Sequence, residues 1–84
     1  MKFVVTDIDG NIIKTSSCDN SQVWLQIAED QLGFEIDQNN GMIRDDLLRV
    51  NLDTLTLEQF AGDDPAQHAG DSVTPVADII GERP

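Results

Sequence analysis

Apolar and polar positions along the chain change period three times, and each change marks an expected element. Residues 3 to 13, FVVTDIDGNII, run an apolar stretch into Asp-x-Asp-Gly and resume it directly afterwards. Two short apolar runs about a polar turn read as a β-hairpin over about 2–16. Asp7-Ile8-Asp9-Gly10 suits a type I turn, with Asp favoured first, Gly fourth, and a left-handed Gly10 closing a bulged loop. In that register Asp7 faces Asn11, Val5 faces Ile13 and Phe3 faces Thr15. Phe3, Val5 and Ile13 then share one apolar face. A tighter Asp9-Gly10 turn pairs Val5 with Lys14 and breaks that face.

From Ser16 onward the spacing becomes helical. Asp19 stands at a capping position with Gln22 three residues on, and Trp24, Ile27, Ala28 and Leu32 recur on one side. The pattern predicts the main helix over about 19–32, stopped by Gly33, with Trp24 and Ile27 on the hairpin. FEIDQNNGMIR predicts a short strand over about 34–37 and a turn at Asn39-Asn40-Gly41. Leu48, Val50 and Leu52 alternate, giving a strand over about 47–52, although Ile43, Leu47 and Val50 also fit a helical face. Thr56, Gln59 and Gly62 frame a short helix over about 56–61, with Leu57 and Phe60 inward. After Gly62 small polar residues, prolines and glycines dominate, and the one compact apolar group is Val76 to Ile80. The expectation is an α+β domain over 1–62 and a flexible acidic tail over 63–84.

A chain of 84 residues is at most one domain, and at this size only about 60% of the unfolded surface is buried on folding. The expected core is thin, with little room for a deep catalytic cavity. Sixteen Asp and Glu against five Lys and Arg give a formal charge of -11. Such a surface repels phosphate backbones and anionic membranes, which argues against direct nucleic-acid or membrane binding. It attracts basic surfaces, and it also keeps a protein soluble. Cys18 is the single cysteine, no stretch resembles a signal peptide, and no apolar run approaches the ~20 residues that span a bilayer. The expected setting is reducing and cytoplasmic.

VVTDIDGN resembles the first motif of the haloacid-dehalogenase-type phosphatases, in which a strand ends in Asp-x-Asp-Gly-Thr. The resemblance implies Asp7 as nucleophile, Asp9 as acid/base and a magnesium ion beside them; Gly70-Asp71-Ser72 with Asp78 resembles the family's late metal-binding motif. Asn11 departs from the family's Thr or Val, and the only lysines are Lys2 and Lys14, both in the hairpin. That fold also needs parallel strands joined by crossovers, for which about sixty residues are too few. DIDGNI matches the middle of an EF-hand loop, but its ends fall on Val5 and Ser16, where carboxylates are needed. Turn chemistry accounts for Asp7, Asp9, Gly10 and Asn11 with no missing residue. CxxC, GxxxxGK, HExxH and GxSxG are absent, and His68 has no Cys18 close in sequence. The expectation is a non-enzyme without cofactor or metal.

The acids are spread along the chain: Asp7 and Asp9 at the turn, Glu29 and Asp30 late in the expected helix, Glu35 and Asp37, then Asp45 and Asp46. These eight are the candidate partner-binding residues. Their field would steer the domain to a basic protein surface, such as that of a nucleic-acid-binding protein. In size and charge the chain is similar to the small phage-encoded anti-restriction and anti-CRISPR inhibitors; the similarity is one of composition. The leading expectation is therefore a non-enzymatic acidic protein-protein interaction module, whose sharper form is an inhibitor that occupies a basic nucleic-acid-binding surface of its target. The alternative is an accessory subunit docking through apolar contacts, and the remote alternative is a metal-dependent phosphatase using Asp7 and Asp9.

Overall fold

A computed structural model of the chain describes residues 1–37 and 43–84, so the turn expected at Asn39-Asn40-Gly41 lies outside the described residues. In chain order the elements are β1 (Lys2–Thr6), β2 (Ile12–Ser17), a 3₁₀ helix (Asn20–Gln26), β3 (Leu32–Ile36), β4 (Leu48–Asn51), β5 (Thr56–Gln59), β6 (Val73–Pro75) and α1 (Ala77–Ile80). One four-stranded sheet runs β2-β1-β3-β6, and β4 pairs with β5 in a second. Every strand pairing is antiparallel. Among the described residues this is a small α+β domain, dominated by its sheets and carrying two short helices.

Strand β1 is central, and Phe3, Val4 and Val5 are all fully buried. Successive side chains on a strand point to opposite faces, so β1 feeds two cores. Val4 joins Phe34, Ile36, Leu48, Val50, Leu57 and Val73 between the two sheets. Phe3 and Val5 join Val23, Ile27 and Val76 on the other face, with Trp24 and Ile80 packed beside them. Each such Val or Leu contributes about 1.5–3 kcal/mol relative to exposure. An expectation of one apolar face for β1 was too narrow: an unbroken apolar run is the pattern of a strand covered on both sides.

Backbone hydrogen bonds fasten the sheets together. The Val50 N–H donates to the Gly10 carbonyl at 2.8 Å, while at the other margin Val73 donates to Leu55 at 2.9 Å and Leu57 to Asp71 at 2.8 Å. These bonds and an isolated bridge between Thr56 and Ser72 join the two sheets around the first core.

The hairpin forms with the expected turn: Gly10 donates to the Asp7 carbonyl at 3.1 Å, and Asp7 to the Asn11 carbonyl at 3.0 Å. Its register beyond the turn differs. A bulge at Ile13 pairs Thr6 with Ile12 and Val5 with Lys14, so Phe3 faces Ser16. Ile12 thereby packs against the core containing Val4, and Ile13 is left 49% exposed.

The main helix over 19–32 is not present. Its place is taken by the seven-residue 3₁₀ helix, with only Val23 buried, and by the start of β3. Asn, Ser, Val and Trp are indifferent helix formers, while Leu32 and Gly33 are needed opposite Thr6 and Val5 in the sheet. Gly33 is thus no helix stop. A Cβ there would stand 2.4 Å from Ile27 Cδ1 and 2.5 Å from Val76 Cγ2, so glycine permits β3 to pass beneath both. The strand expected over 34–37 begins two residues earlier, and that expected over 47–52 is β4.

The helix expected over 56–61 is β5 instead. Leu57 points inward and Glu58 outward opposite Arg49, a period of two, and Phe60 is exposed. The segment 63–84, expected to be a tail, supplies β6 and α1, and places Val73 in one core and Val76 in the other.

Candidate interaction surface

At the hairpin tip the Asp7 carboxylate is engaged by its own turn. Oδ1 accepts the N–H groups of Asp9 at 2.9 Å and Asn11 at 3.0 Å, and Oδ2 accepts the Asn11 side-chain amide at 3.0 Å. The Asn11 side chain first, then the backbone amides, hold the Asp7 carboxyl below its ordinary value. Donors that stabilise the charged form do this without any ion nearby. Asp7 ends no strand of a parallel sheet.

Asp9, one loop position on, is exposed and faces outward. It borders an open groove of about 350 Å³ between the hairpin tip and the second sheet, together with Ile8, Leu52, Asp53 and Glu58. Glu58 accepts from Arg49 at 2.8 Å and from Asn51 at 3.3 Å, and the Arg49 bond leads in holding its carboxyl below the usual range.

A second acidic groove, about 460 Å³, follows the other end of the main sheet, where Glu35 and Asp37 of the β3 region meet Asp71 across Ser72 and Thr74. Thr74 stands opposite Glu35 in the β3–β6 register. His68, next to this segment, directs Nδ1 to the Asp71 carboxylate at 2.9 Å.

Of the eight expected partner-binding acids, the structure gathers Glu35 with Asp37, and sets Asp9 in the hairpin groove. Asp7 is absorbed by the turn. Asp46 takes two hydrogen bonds from Arg44, at 2.7 and 2.9 Å; its carboxyl is lowered, chiefly by those bonds, and the Arg44 guanidinium is raised. Asp45 is exposed beside it. Glu29 and Asp30 sit beyond the 3₁₀ helix, in the turn where the Gln31 N–H donates to the Ala28 carbonyl at 3.0 Å. Sequence reasoning missed Asp53, Glu58 and Asp71 as members of the grooves. The alternation of Thr56 to Gln59 was the available signal for Glu58; nothing local placed Asp53 or Asp71 there.

Electrostatically, carboxylates dominate. None of the sixteen acids is buried among the described residues. Arg44 pairs with Asp46 and Arg49 with Glu58 at the surface, and Arg83 donates to the Ile27 and Ala28 carbonyls at 2.6 and 2.8 Å. Among the described residues no group of three or more His, Cys, Asp or Glu is arranged to hold a metal ion, and no helix is long and apolar enough to cross a membrane. The apolar group Val76 to Ile80 is used internally, with Val76 1% exposed and Ile80 against the same core. Comparison with protein-family models, with curated proteins and with solved structures finds no match to this chain.

Proposed function

We propose that this protein is a non-enzymatic acidic interaction module that binds a basic surface of a protein partner, its carboxylates standing where that partner takes nucleic-acid phosphates. One observation carries the reading: with sixteen acids against five cations the formal charge is -11, and none of those acids is buried. The exposed field is therefore negative on several sides, and a field of one sign steers encounter with its opposite. Asp9 and Asp53 in one groove and Glu35, Asp37 and Asp71 in the other are the carboxylates we assign to the partner. The finer form of the proposal is an inhibitor of a nucleic-acid-binding protein, acting in the cytoplasm.

The test is capture from a bacterial lysate at low salt, elution in salt steps, and competition. Basic nucleic-acid-binding proteins should leave at moderate salt, because surface attraction is screened over ~10 Å at 0.1 M, and DNA or RNA should displace them. The quadruple variant Asp9→Asn, Asp53→Asn, Glu35→Gln, Asp37→Asn should release them at lower salt than the wild type. Partners indifferent to salt, nucleic acid and this variant would sink the reading.

A second reading is an accessory subunit docking through apolar contacts. It is favoured by Leu25 and Ile8, exposed by 76% and 68% on the 3₁₀ helix and hairpin tip, and retention through high salt is its signature.

A further inference from the structure

Strands at the margins of the two sheets are bonded beyond their own ladders, with one exception. Val50 of β4 donates to Gly10, Leu57 of β5 donates to Asp71 and accepts from Gly70, and Val73 of β6 donates to Leu55. Strand β2 is the remaining margin of the main sheet. Among the described residues, no backbone bond other than the ladder to β1 reaches any position from Ile12 to Ser17.

The ladder shows which groups are left over. The Met1 amino group donates to the Cys18 carbonyl at 2.8 Å, and the Cys18 N–H donates to the Met1 carbonyl at 3.1 Å. Bonded and non-bonded pairs alternate along an antiparallel ladder. Ser16 opposite Phe3 and Lys14 opposite Val5 therefore turn their backbone groups to β1, while Thr15 and Ser17 turn theirs outward. Ile13, Lys14, Thr15 and Ser17 are all exposed.

Such an edge can accept a further strand, and charge selects which. In a chain with sixteen acids, residues 10–18 hold one lysine and no acid. A lysine-rich strand would meet Lys14 here and no carboxylate, whereas two copies of this chain would meet with less repulsion than through their acidic grooves. The strand also complements itself. Outward residues must face outward residues, so a two-fold axis at Thr15 sets Thr15 opposite its counterpart, Ser17 opposite Ile13 and Lys14 opposite Ser16. No like charges are then opposed, and facing threonines are a favourable cross-strand pair. An axis at Lys14 would oppose two lysines. The bulge at Ile13 limits the regular stretch to residues 14–17, which makes the contact short and reversible.

We propose that two copies of this chain associate through antiparallel pairing of β2 about Thr15, which joins their four-stranded sheets into one. This goes beyond the acidic-module reading and does not depend on it, since none of the carboxylates assigned to the basic partner lies in β2.

The test is sedimentation equilibrium of the full chain. Two copies of like net charge repel, so the dimer should strengthen as sodium chloride rises to about 1 M, where charges are screened beyond ~3 Å; binding of the basic partner should weaken over the same range. At high salt Thr15→Glu, at an exposed position, puts carboxylates face to face and should weaken the dimer about tenfold. Gln67→Glu adds the same charge on an exposed loop and should leave the dimer unchanged. The register has its own readout. With Cys18→Ser in both proteins, Thr15→Cys should be cross-linked by oxidised glutathione, because directly opposed bonded residues have Cα atoms ~5.5 Å apart, and Lys14→Cys should lag behind it. A chain that stays monomeric at every salt concentration would overturn the proposal. So would a dimer that Thr15→Glu leaves intact, or one that both charge variants weaken equally. Faster cross-linking of Lys14→Cys would overturn the axis at Thr15.

Discussion

Gly10 and Val50 meet backbone to backbone: the Val50 N–H donates to the Gly10 carbonyl at 2.8 Å, and a Cβ on Gly10 would stand 2.1 Å from the Val50 oxygen. The hairpin turn is therefore also the point at which the first sheet is fastened to the second. Gly10→Ala places a side chain at a φ of 94° and against a backbone atom that cannot rotate away. The expected loss is about 2–4 kcal/mol, a large part of the stability of a domain this small. Urea unfolding of the two proteins measures it; a change within error would mean that the sheets are not joined here.

Asp7 gives the turn a pH dependence of known sign. Its folded pKa is lowered by the Asn11 side-chain bond and the turn amides, so its contribution is present above the unfolded value near 3.8 and is lost as pH falls through the lower folded value. Asp7→Asn removes that linkage. The wild type should be the more stable at neutral pH, and the gap in urea midpoint should close as pH drops below the ordinary carboxylate range. A gap that stays constant with pH would show that the carboxylate charge is not what the turn uses.

Residues 63–84 are expected to exchange slowly where they bond to the sheets. The Val73 amide donates to Leu55 at 2.9 Å and the Val76 amide to Gly33 at 3.0 Å. Protection at these two comparable to that in β3 marks a segment that is part of the fold; exchange at the rate of a free chain marks a flexible tail. Val76→Ala, emptying a site 1% exposed, should cost about 2 kcal/mol in the first case and almost nothing in the second.

Trp24 reports on the C-terminal end. Its indole N–H donates to the Gly81 carbonyl at 3.2 Å while Arg83 lies over the ring. Arg83→Ala should expose the indole, shifting its fluorescence to the red and raising its quenching by iodide. Stability should fall by about 1 kcal/mol or less, since a partly exposed cation–π contact and bonds to surface carbonyls are modest terms. An unchanged spectrum would mean that residues 81–84 do not rest on Trp24.

What the chain by itself determined is short-range or solvent-driven. Asp7 to Asn11 carry their turn in their own chemistry, because Asp and Gly at those positions need no distant partner. Leu48 and Val50 alternate cleanly enough to mark β4. The surface position of the acids follows from charge alone, since unpaired carboxylates are not buried. Tertiary structure decided the rest. Residues 19–32 and 56–61 have apolar spacings that serve a helix or a strand, and the choice fell to neighbours far along the chain: Val5 and Thr6 opposite Gly33 and Leu32, and Asp71 beside Leu57. Val73 and Val76 look like isolated apolar residues in a polar stretch, yet they close the two cores left open around β1. The acidic grooves likewise exist only where such segments meet. A linear sequence states each residue's charge and size; which residues share a groove depends on the pairing that buries the most apolar surface, and only the assembled sheets fix that pairing.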